Sequence, residues 1–283
     1  MPGLLPEPTE AELAHWCAEA ERLQAVPEDA AIPSPIRFGL ECAIQAAQHP
    51  GKPRWESPFT RGERGIAIHH LIWMADADSM LAAMAQGIER GFRCLKLKVG
   101  ALPFDREIQL LREAHAAFPQ AELRVDANGA FSPDEALHKL EALANAGVSS
   151  IEQPLRPGQW EQMRELCRHS ALPIALDEEL ITAHHDAERM LERIAPQALV
   201  IKPSLHGGLA AAETMATLAT ERGMQWWINS ALESHIGLTA LAEWCGAHAP
   251  DTLHGLGSGL LFTDDVCEQV QLRDSRLYYL TKF

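Results

Sequence analysis

Five charged residues recur at near-regular intervals: Lys98, Asp126, Glu152, Asp177 and Lys202, spaced 28, 26, 25 and 25 residues apart. Each closes a short apolar run, such as Leu123-Arg124-Val125-Asp126 or Ile174-Ala175-Leu176-Asp177. One strand-helix unit of a parallel barrel takes about 31 residues, so the five mark the ends of successive units. Groups that do chemistry in such barrels sit at C-terminal strand ends, and these side chains are expected to converge on one mouth. Three carboxylates brought together without compensation repel one another and raise their pKa values. A divalent cation removes the conflict, and all-oxygen ligation selects Mg²⁺, with Mn²⁺ as the alternative, over zinc. Asp126, Glu152 and Asp177 are therefore the expected metal ligands. Any one of them alone reads equally well as the cap of the helix that follows. It is three in register that point to a metal.

Two lysines flank this triad. Lys96 and Lys98 lie at i and i+2, on one face of one strand. Two ammonium groups facing a barrel interior are costly unless they serve a purpose. Their mutual repulsion and a nearby cation are expected to lower the pKa of Lys98 from about 10.4 towards that of a useful base. Lys202 is expected on the opposite side of the mouth. Lysines facing each other across a metal-bound carboxylate suit removal of a proton α to that carboxylate. One takes the proton, while the other and the cation stabilise the enediolate.

The elements that must position these groups follow from hydrophobic periodicity. Strands are expected at 66–71, 94–99, 123–126, 149–152, 174–177, 199–202, 225–229 and 253–256, with helices between them such as 106–117, 133–146, 160–169 and 208–222. Eight strands alternating with helices indicate an α/β fold, a closed (β/α) barrel of the TIM type. An open doubly wound sheet is the alternative, and no Gly-rich dinucleotide fingerprint follows an early strand to support it. Ahead of the barrel, Thr9 and Glu12 fit a capping box before Leu13, Trp16, Ala20 and Leu23. A second helix starts near Ser34-Pro35 and carries Phe38, Leu40, Ala43, Ile44 and Ala47. Residues 49–65, rich in Pro, Gly and charge, read as a linker. The expected organisation is 1–65 helices and linker, 66–262 barrel with the active site, and 263–283 packing back on the first segment.

The chain has 24 Lys and Arg against 39 Asp and Glu, a net charge of −15. That balance argues against nucleic acid and against an anionic membrane surface; the expected partner is the small-molecule carboxylate that the lysines and the cation suit. The six cysteines are scattered without metal-ligand spacing and read as reduced, mostly buried thiols. No apolar run approaches the ~20 residues of a membrane span, and the first residues show neither a basic nor an apolar targeting region. A cytoplasmic protein is expected.

Lys96-Leu97-Lys98 resembles the Lys-x-Lys motif of the enolase superfamily. Asp126-Ala127-Asn128, Glu152-Gln153-Pro154 and Asp177-Glu178 resemble its three metal-ligand motifs, and Lys202-Pro203 its sixth-strand lysine. The match runs from about Phe38 to Asp265. Within the superfamily the chain resembles the muconate cycloisomerase-like subgroup, and most of all the o-succinylbenzoate synthases. Residues 38–43 (Phe-Gly-Leu-Glu-Cys-Ala), 229–234 (Asn-Ser-Ala-Leu-Glu-Ser) and 254–263, which begin His254-Gly255-Leu256-Gly257-Ser258, carry that likeness. Dipeptide epimerases have an Asp-x-Asp where this chain has Gly257-Ser258.

The resemblance implies loss of water from the cyclohexadiene carboxylate SHCHC to give o-succinylbenzoate, a step of menaquinone biosynthesis. Lys98 would be the base and then the acid for the departing hydroxide, a syn elimination, with Lys202 a cation beside the enediolate. Lys96 and Asn128 would stand behind these groups, with Asn229, Ser230 and the backbone near Gly255 beside the succinyl tail. An N-acylamino acid racemase uses the same metal and lysines and is the alternative among enzymes. A non-catalytic metal-binding barrel is the alternative of another class. The resemblance also implies about three strands of an α+β capping sheet ahead of the first helix, and Met1 stands where that sheet should have ended. A truncated capping domain, reduced mainly to helices, is the expectation, through an upstream start or a shortened chain. Uncovered apolar surface would then favour a homo-oligomer or lower stability.

Overall fold

The structure is a computed structural model, and it describes residues 8–28, 31–257 and 269–281. Among these the chain divides into two compact units. The first is drawn from Met1–Ala67, Ile201–Ala216 and Ile228–Phe283, the second from Ile68–Val200 and Thr217–Trp227.

The first unit opens with α1 (Glu10–Leu23) and α2 (Ser34–Gln48). Thr9 caps α1: its hydroxyl accepts the N–H of Glu12, and the Glu12 carboxylate accepts the N–H of Thr9 at 2.8 Å. Pro35 in the first turn of α2 suits a position where no intrahelical donor is needed. Ala20, Ile32, Ile36 and Leu40 form a small core there, with Trp16, Val26 and Ile44 packed at its edge. After residues 49–65, which hold no helix or strand, comes β1 (Ile66–Ala67).

The second unit runs β2 (His70–Ile72), α3 (Ala77–Glu89), β3 (Cys94–Lys98), α4 (Phe104–Ala117), β4 (Glu122–Asp126), α5 (Pro133–Asn145) and β5 (Val148–Glu152). It continues with α6 (Trp160–His169), β6 (Ile174–Leu176), α7 (Glu178–Ala183), α8 (Ala187–Ile194), β7 (Ala198–Ile201), α9 (Gly208–Glu221) and β8 (Gln225–Ile228), the ends of the last three lying in the first unit. The sheet order is β2-β3-β4-β5-β6-β7-β8, parallel from β2 through β7. Successive side chains in a strand alternate between faces. One face therefore carries Leu95, Leu97, Leu123, Val125 and Ile151, all fully buried. The other carries Lys96, Lys98, Arg124, Asp126, Ser150 and Glu152. Register lines up Lys98, Asp126 and Glu152 across three strands.

The first unit closes with α10 (His235–His248), whose residues from Leu238 to Gly246 are all buried. Its one acidic residue, Glu243, is paired with Arg54 at 3.1 Å. The antiparallel pair β9 (Val270–Arg273) and β10 (Arg276–Tyr279) then adds β1 at its β10 edge. Residues 263–268 of the expected C-terminal segment lie outside the described residues. Among the described residues no helix is long and apolar enough to cross a membrane, and Cys17, Cys42, Cys94, Cys167 and Cys245 are free thiols.

Two expected strands differ in form. The run 66–71 is split: Ile66 pairs with Leu277 in the small antiparallel sheet, whereas His70 pairs with Leu95 in the parallel one. Ile66, Ile68 and Ile72 are buried throughout, so the apolar pattern carries no mark of a change of partner. The run 253–256 contributes one bridge, Asn229 to Gly255, and a hydrogen bond from His254 N to Ala67 O at 3.0 Å.

Candidate metal centre

In the second unit Asp126 and Glu152 end β4 and β5, and Asp177 directly follows β6. Their carboxylate oxygens lie within 4.8 Å of one another, and all three residues are buried. Lys96 Nζ stands 2.5 Å from Glu152 Oε2 and 3.0 Å from Asp126 Oδ2. Lys98 Nζ is 2.6 Å from that same Asp126 oxygen and donates to Asn128 Oδ1 at 2.7 Å. One carboxylate oxygen thus lies between two ammonium groups, which offsets the repulsion expected between the lysines.

Burial works to raise the Asp126 pKa, but the Lys96 and Lys98 ammoniums outweigh it and hold the carboxyl well below its usual range. Burial works to lower the Lys96 pKa, and the charges of Asp126, Glu152 and Asp177 outweigh that and raise it. Lys96 is therefore a fixed ammonium.

The turns behind these residues hold them in place. Asn128 and Gln153 each have a left-handed backbone, with φ of 44° and 39°. Such a conformation costs on the order of 1–3 kcal/mol for a residue with a side chain, and neighbouring contacts must hold it. Gln153 is fully buried. Its Oε1 accepts the N–H groups of Asp177 at 3.0 Å and Glu179 at 3.2 Å, and its Nε2 donates to Leu155 O at 2.8 Å. The residue after one carboxylate thus fixes the backbone of the next. Asn128 accepts a hydrogen bond from Lys98 Nζ on Oδ1 and donates through Nδ2 to Glu178 Oε1 at 2.7 Å. Gly129 N donates to Gln153 O at 2.7 Å, and a Cβ on Gly129 would meet the Arg156 backbone at 2.9 Å, so glycine is required there. Beyond Lys98, the Glu107 carboxylate of α4 accepts the N–H groups of Gly100, Ala101 and Leu102 at 2.8–3.1 Å and fixes that loop.

The donor set suits a divalent cation. Mg²⁺ holds oxygens at about 2.0–2.1 Å, so opposite ligands lie about 4.2 Å apart. Three buried carboxylates within 4.8 Å need only small rotations to share such a sphere.

Lys202, Asn229, Ser230 and Gly255 belong to the first unit. Lys202 directly follows β7, is buried, and donates its backbone N–H to His206 Nδ1 at 3.0 Å. Asn229 N donates to Ile201 O, Ser230 N to Gly255 O and Gly255 N to Ile228 O, which sets the four on adjoining strand ends. The Ser230 hydroxyl donates to Glu233, as does that of Ser204. Residues 258–263 of the eighth-strand likeness lie outside the described residues. Sequence reasoning quoted Gln153, Glu178 and Glu233 within motifs and gave them no part. A polar residue directly following a buried carboxylate was the available signal for the first two.

Parallel strands alternating with helices, and a buried carboxylate triad with two lysines at the strand ends, define an α/β-barrel protein with a centre suited to a divalent cation. The chain belongs to the enolase C-terminal domain-like family, whose profile matches residues 79–278. It is 45% identical over 235 residues to the o-succinylbenzoate synthase of Desulfotalea psychrophila, covering 82% of this chain and 64% of that one. It is 29% identical over 208 residues to an L-Ala-D/L-amino acid epimerase of Maribacter, covering 71% and 59%. The crystal structure of MenC from Desulfotalea psychrophila superposes with a TM-score of 0.84 at 39% identity, covering 95% of this chain and 76% of that one. The muconate lactonizing enzyme of Pseudomonas putida, at 24% identity and a TM-score of 0.77 over 94% and 75%, shows the shared fold. The chain spans about three-fifths of the length of the curated relatives it matches.

Proposed function

We propose that this chain is an o-succinylbenzoate synthase, a lyase that removes water from SHCHC in menaquinone biosynthesis. The buried triad with Lys96 and Lys98 carries the reaction class, and the 45% identity to a curated synthase supports the substrate. Asp126, Glu152 and Asp177 are the assigned ligands, with Mg²⁺ as the ion and Mn²⁺ as the alternative. When bound, the cation supplies positive charge to the substrate carboxylate and so acidifies the neighbouring C–H.

Lys98 takes the α-proton. Asn128, anchored by Glu178, orients the Lys98 amine through its Oδ1. Once protonated, Lys98 is the acid for the hydroxide leaving from the same face, so one group serves both halves of a syn elimination. Lys96 stays charged between Asp126 and Glu152 and balances the triad. The motif Lys202-Pro203 assigns Lys202 as the cation for the enediolate, and Asn229, Ser230 and Gly255 are assigned to the succinyl tail. Free thiols at Cys42, Cys94, Cys167 and Cys245 support a reducing, cytoplasmic setting. Exposed Leu13 and Leu23 of α1 support association into a homo-oligomer.

The test is the loss of the cyclohexadiene chromophore of SHCHC with Mg²⁺ and with EDTA, run beside racemisation of N-acylamino acids. Mg²⁺-dependent dehydration is expected. Racemisation without dehydration moves the reading to the racemase, and neither activity moves it to a non-catalytic barrel. Asp177→Asn should abolish Mg²⁺ binding by calorimetry, and unchanged affinity would overturn the ligand assignment.

A further inference from the structure

Three donors from two turns of the first unit converge on the Glu233 carboxylate. The Ser204 hydroxyl donates to Oε1, and the Ser230 hydroxyl and the Ala231 N–H, the latter at 2.9 Å, donate to Oε2. Hydrogen bonds to an ionised acceptor are about twice as strong as neutral ones. Ser204 lies in the turn after β7, and Ser230 just beyond β8. One carboxylate therefore ties the turn that follows Lys202 to the loop that carries Asn229 and Ser230.

Strand pairing does not require that tie. Asn229 N already donates to Ile201 O at 2.9 Å and Ser230 N to Gly255 O at 2.9 Å, so backbone bonds alone set how these strand ends lie. The tie also takes two local concessions from the chain. Leu232 has a left-handed backbone, with φ of 69°, held by its N–H to Ser230 Oγ at 3.0 Å. Its side chain is 38% exposed, so burial does little to offset the strain. Strain of this kind persists only where the surroundings hold it, and it gathers at functional sites. In α10, a Cβ on Gly237 would meet Glu233 Cβ at 2.8 Å, so glycine there makes room for the carboxylate-bearing side chain.

The Ser204 end of the tie bears on Lys202. Lys202 O accepts the N–H groups of Leu205 at 2.8 Å and His206 at 3.0 Å, and Lys202 N donates to His206 Nδ1 at 3.0 Å. Both Ser204 and His206 are buried. The turn thus closes on the Lys202 backbone from both sides, and Ser204 is where Glu233 grips it. A cation stabilises charge that develops in a reaction by being in place beforehand. A misplacement of about 1 Å costs up to on the order of 10² in rate.

We propose that Glu233 is a positioning residue for Lys202, acting through Ser204 and keeping the lysine in register with Asn229 and Ser230. The inference rests on the assignment of Lys202 as the cation beside the enediolate.

Steady-state rates with SHCHC and Mg²⁺ give the first readout. In Glu233→Ala, kcat should fall about tenfold or more. KM should stay within about twofold, because the enediolate charge develops only after the substrate has bound. Glu233→Gln should lie between Glu233→Ala and the parent. Its amide oxygen can still accept from Ser230 and Ala231, and its NH₂ can donate to the Ser204 oxygen. Amide exchange of Leu205 and His206, followed by NMR in EDTA without substrate, needs no reaction. Both amides should exchange at least about fivefold faster in Glu233→Ala, the worth of one hydrogen bond. Unchanged exchange at Leu205 and His206 overturns the proposal, even if Ala231 exchanges faster. So does a raised KM with kcat intact, which would place Glu233 with the substrate tail instead. A parent chain that does not dehydrate SHCHC overturns the functional reading, and the exchange rates then still decide whether Glu233 holds the Lys202 turn. Should Glu233→Ala fail to fold, Ser204→Ala carries both readouts with the same expected signs.

Discussion

Replacing Lys96 by methionine separates the charge at the triad from its shape. Methionine keeps an unbranched stem and removes the ammonium that lies 2.5 Å from Glu152 and 3.0 Å from Asp126. The three side chains are at most 6% exposed, so water cannot take over. Breaking a buried pair by removing one partner costs about 3–5 kcal/mol, a large part of a domain's total stability of about 5–15 kcal/mol. Lys98 still covers Asp126, and Glu152 loses the ammonium of Lys96, so the loss is expected in that range when EDTA is present. A cation bound by the triad changes the outcome. It supplies the missing charge, and it no longer competes with an ammonium for the same oxygens. Lys96→Met should therefore bind Mg²⁺ more tightly than the parent, and each tenfold gain narrows the stability gap by about 1.4 kcal/mol at saturation. Urea unfolding followed by tryptophan fluorescence, with EDTA and with saturating Mg²⁺, gives the four midpoints required. An equal loss under both conditions refutes the reasoning, because the ion would then not share the carboxylates that Lys96 holds.

Lys98→Ala should lower the dehydration rate by on the order of 10²–10⁴ and leave Mg²⁺ affinity measurable, while Lys202→Arg keeps partial activity and Lys202→Ala very little; initial rates with SHCHC decide. Gln153→Ala leaves the N–H groups of Asp177 and Glu179 unmet and should destabilise the fold by about 2–4 kcal/mol in urea. His254 accepts the Ile228 N–H on Nδ1 at 3.1 Å, which leaves Nε2 to donate to Ala249 O at 3.0 Å, and burial pushes its pKa down to about 4. The unfolded chain takes up a proton near pH 6.5 and the native one does not. Stability from the neutral ring is therefore complete above pH 6.5 and is lost as pH falls towards 4, by about 2 kcal/mol between pH 7 and pH 5. His254→Gln should flatten that part of the pH profile of the urea midpoint, and parallel profiles would refute it.

The strand-end residues were legible because they interrupt apolar runs at the spacing of a strand-helix unit. Asp126, Glu152 and Asp177 came together as expected, and Lys96 and Lys98 joined them. What periodicity could not supply was partner choice. Nothing in Ile66 to Ile72 tells a chain to leave one sheet and enter another, and nothing in 270–279 marks an antiparallel pair that returns to β1. The short α7 and α8 also went unread, because a six-residue and an eight-residue helix barely complete the apolar repeat on which recognition depends. The parts of Gln153 and Asn128 were hidden for another reason. Each works through a left-handed turn and through side-chain bonds to groups 24 to 50 residues away, the Asp177 backbone for Gln153 and the Glu178 carboxylate for Asn128.

The same face of the sheet explains why charge was readable at all. Helices cover the side bearing Leu95, Leu97, Leu123 and Val125, so apolar residues there satisfy the core. The opposite side must then neutralise whatever charge it carries, since a lone buried ion would shift its pKa or unfold the chain. Lys96 does so with Asp126 and Glu152, and Arg124 does so with Glu122. The pairings of Lys96 with Asp126 of β4 and Glu152 of β5 cross strands and fix which residues stand opposite one another, and a slip of one residue would turn Lys96 into the apolar layer. The charges that suit this face to chemistry at one end of the strands therefore also hold the register that puts them there.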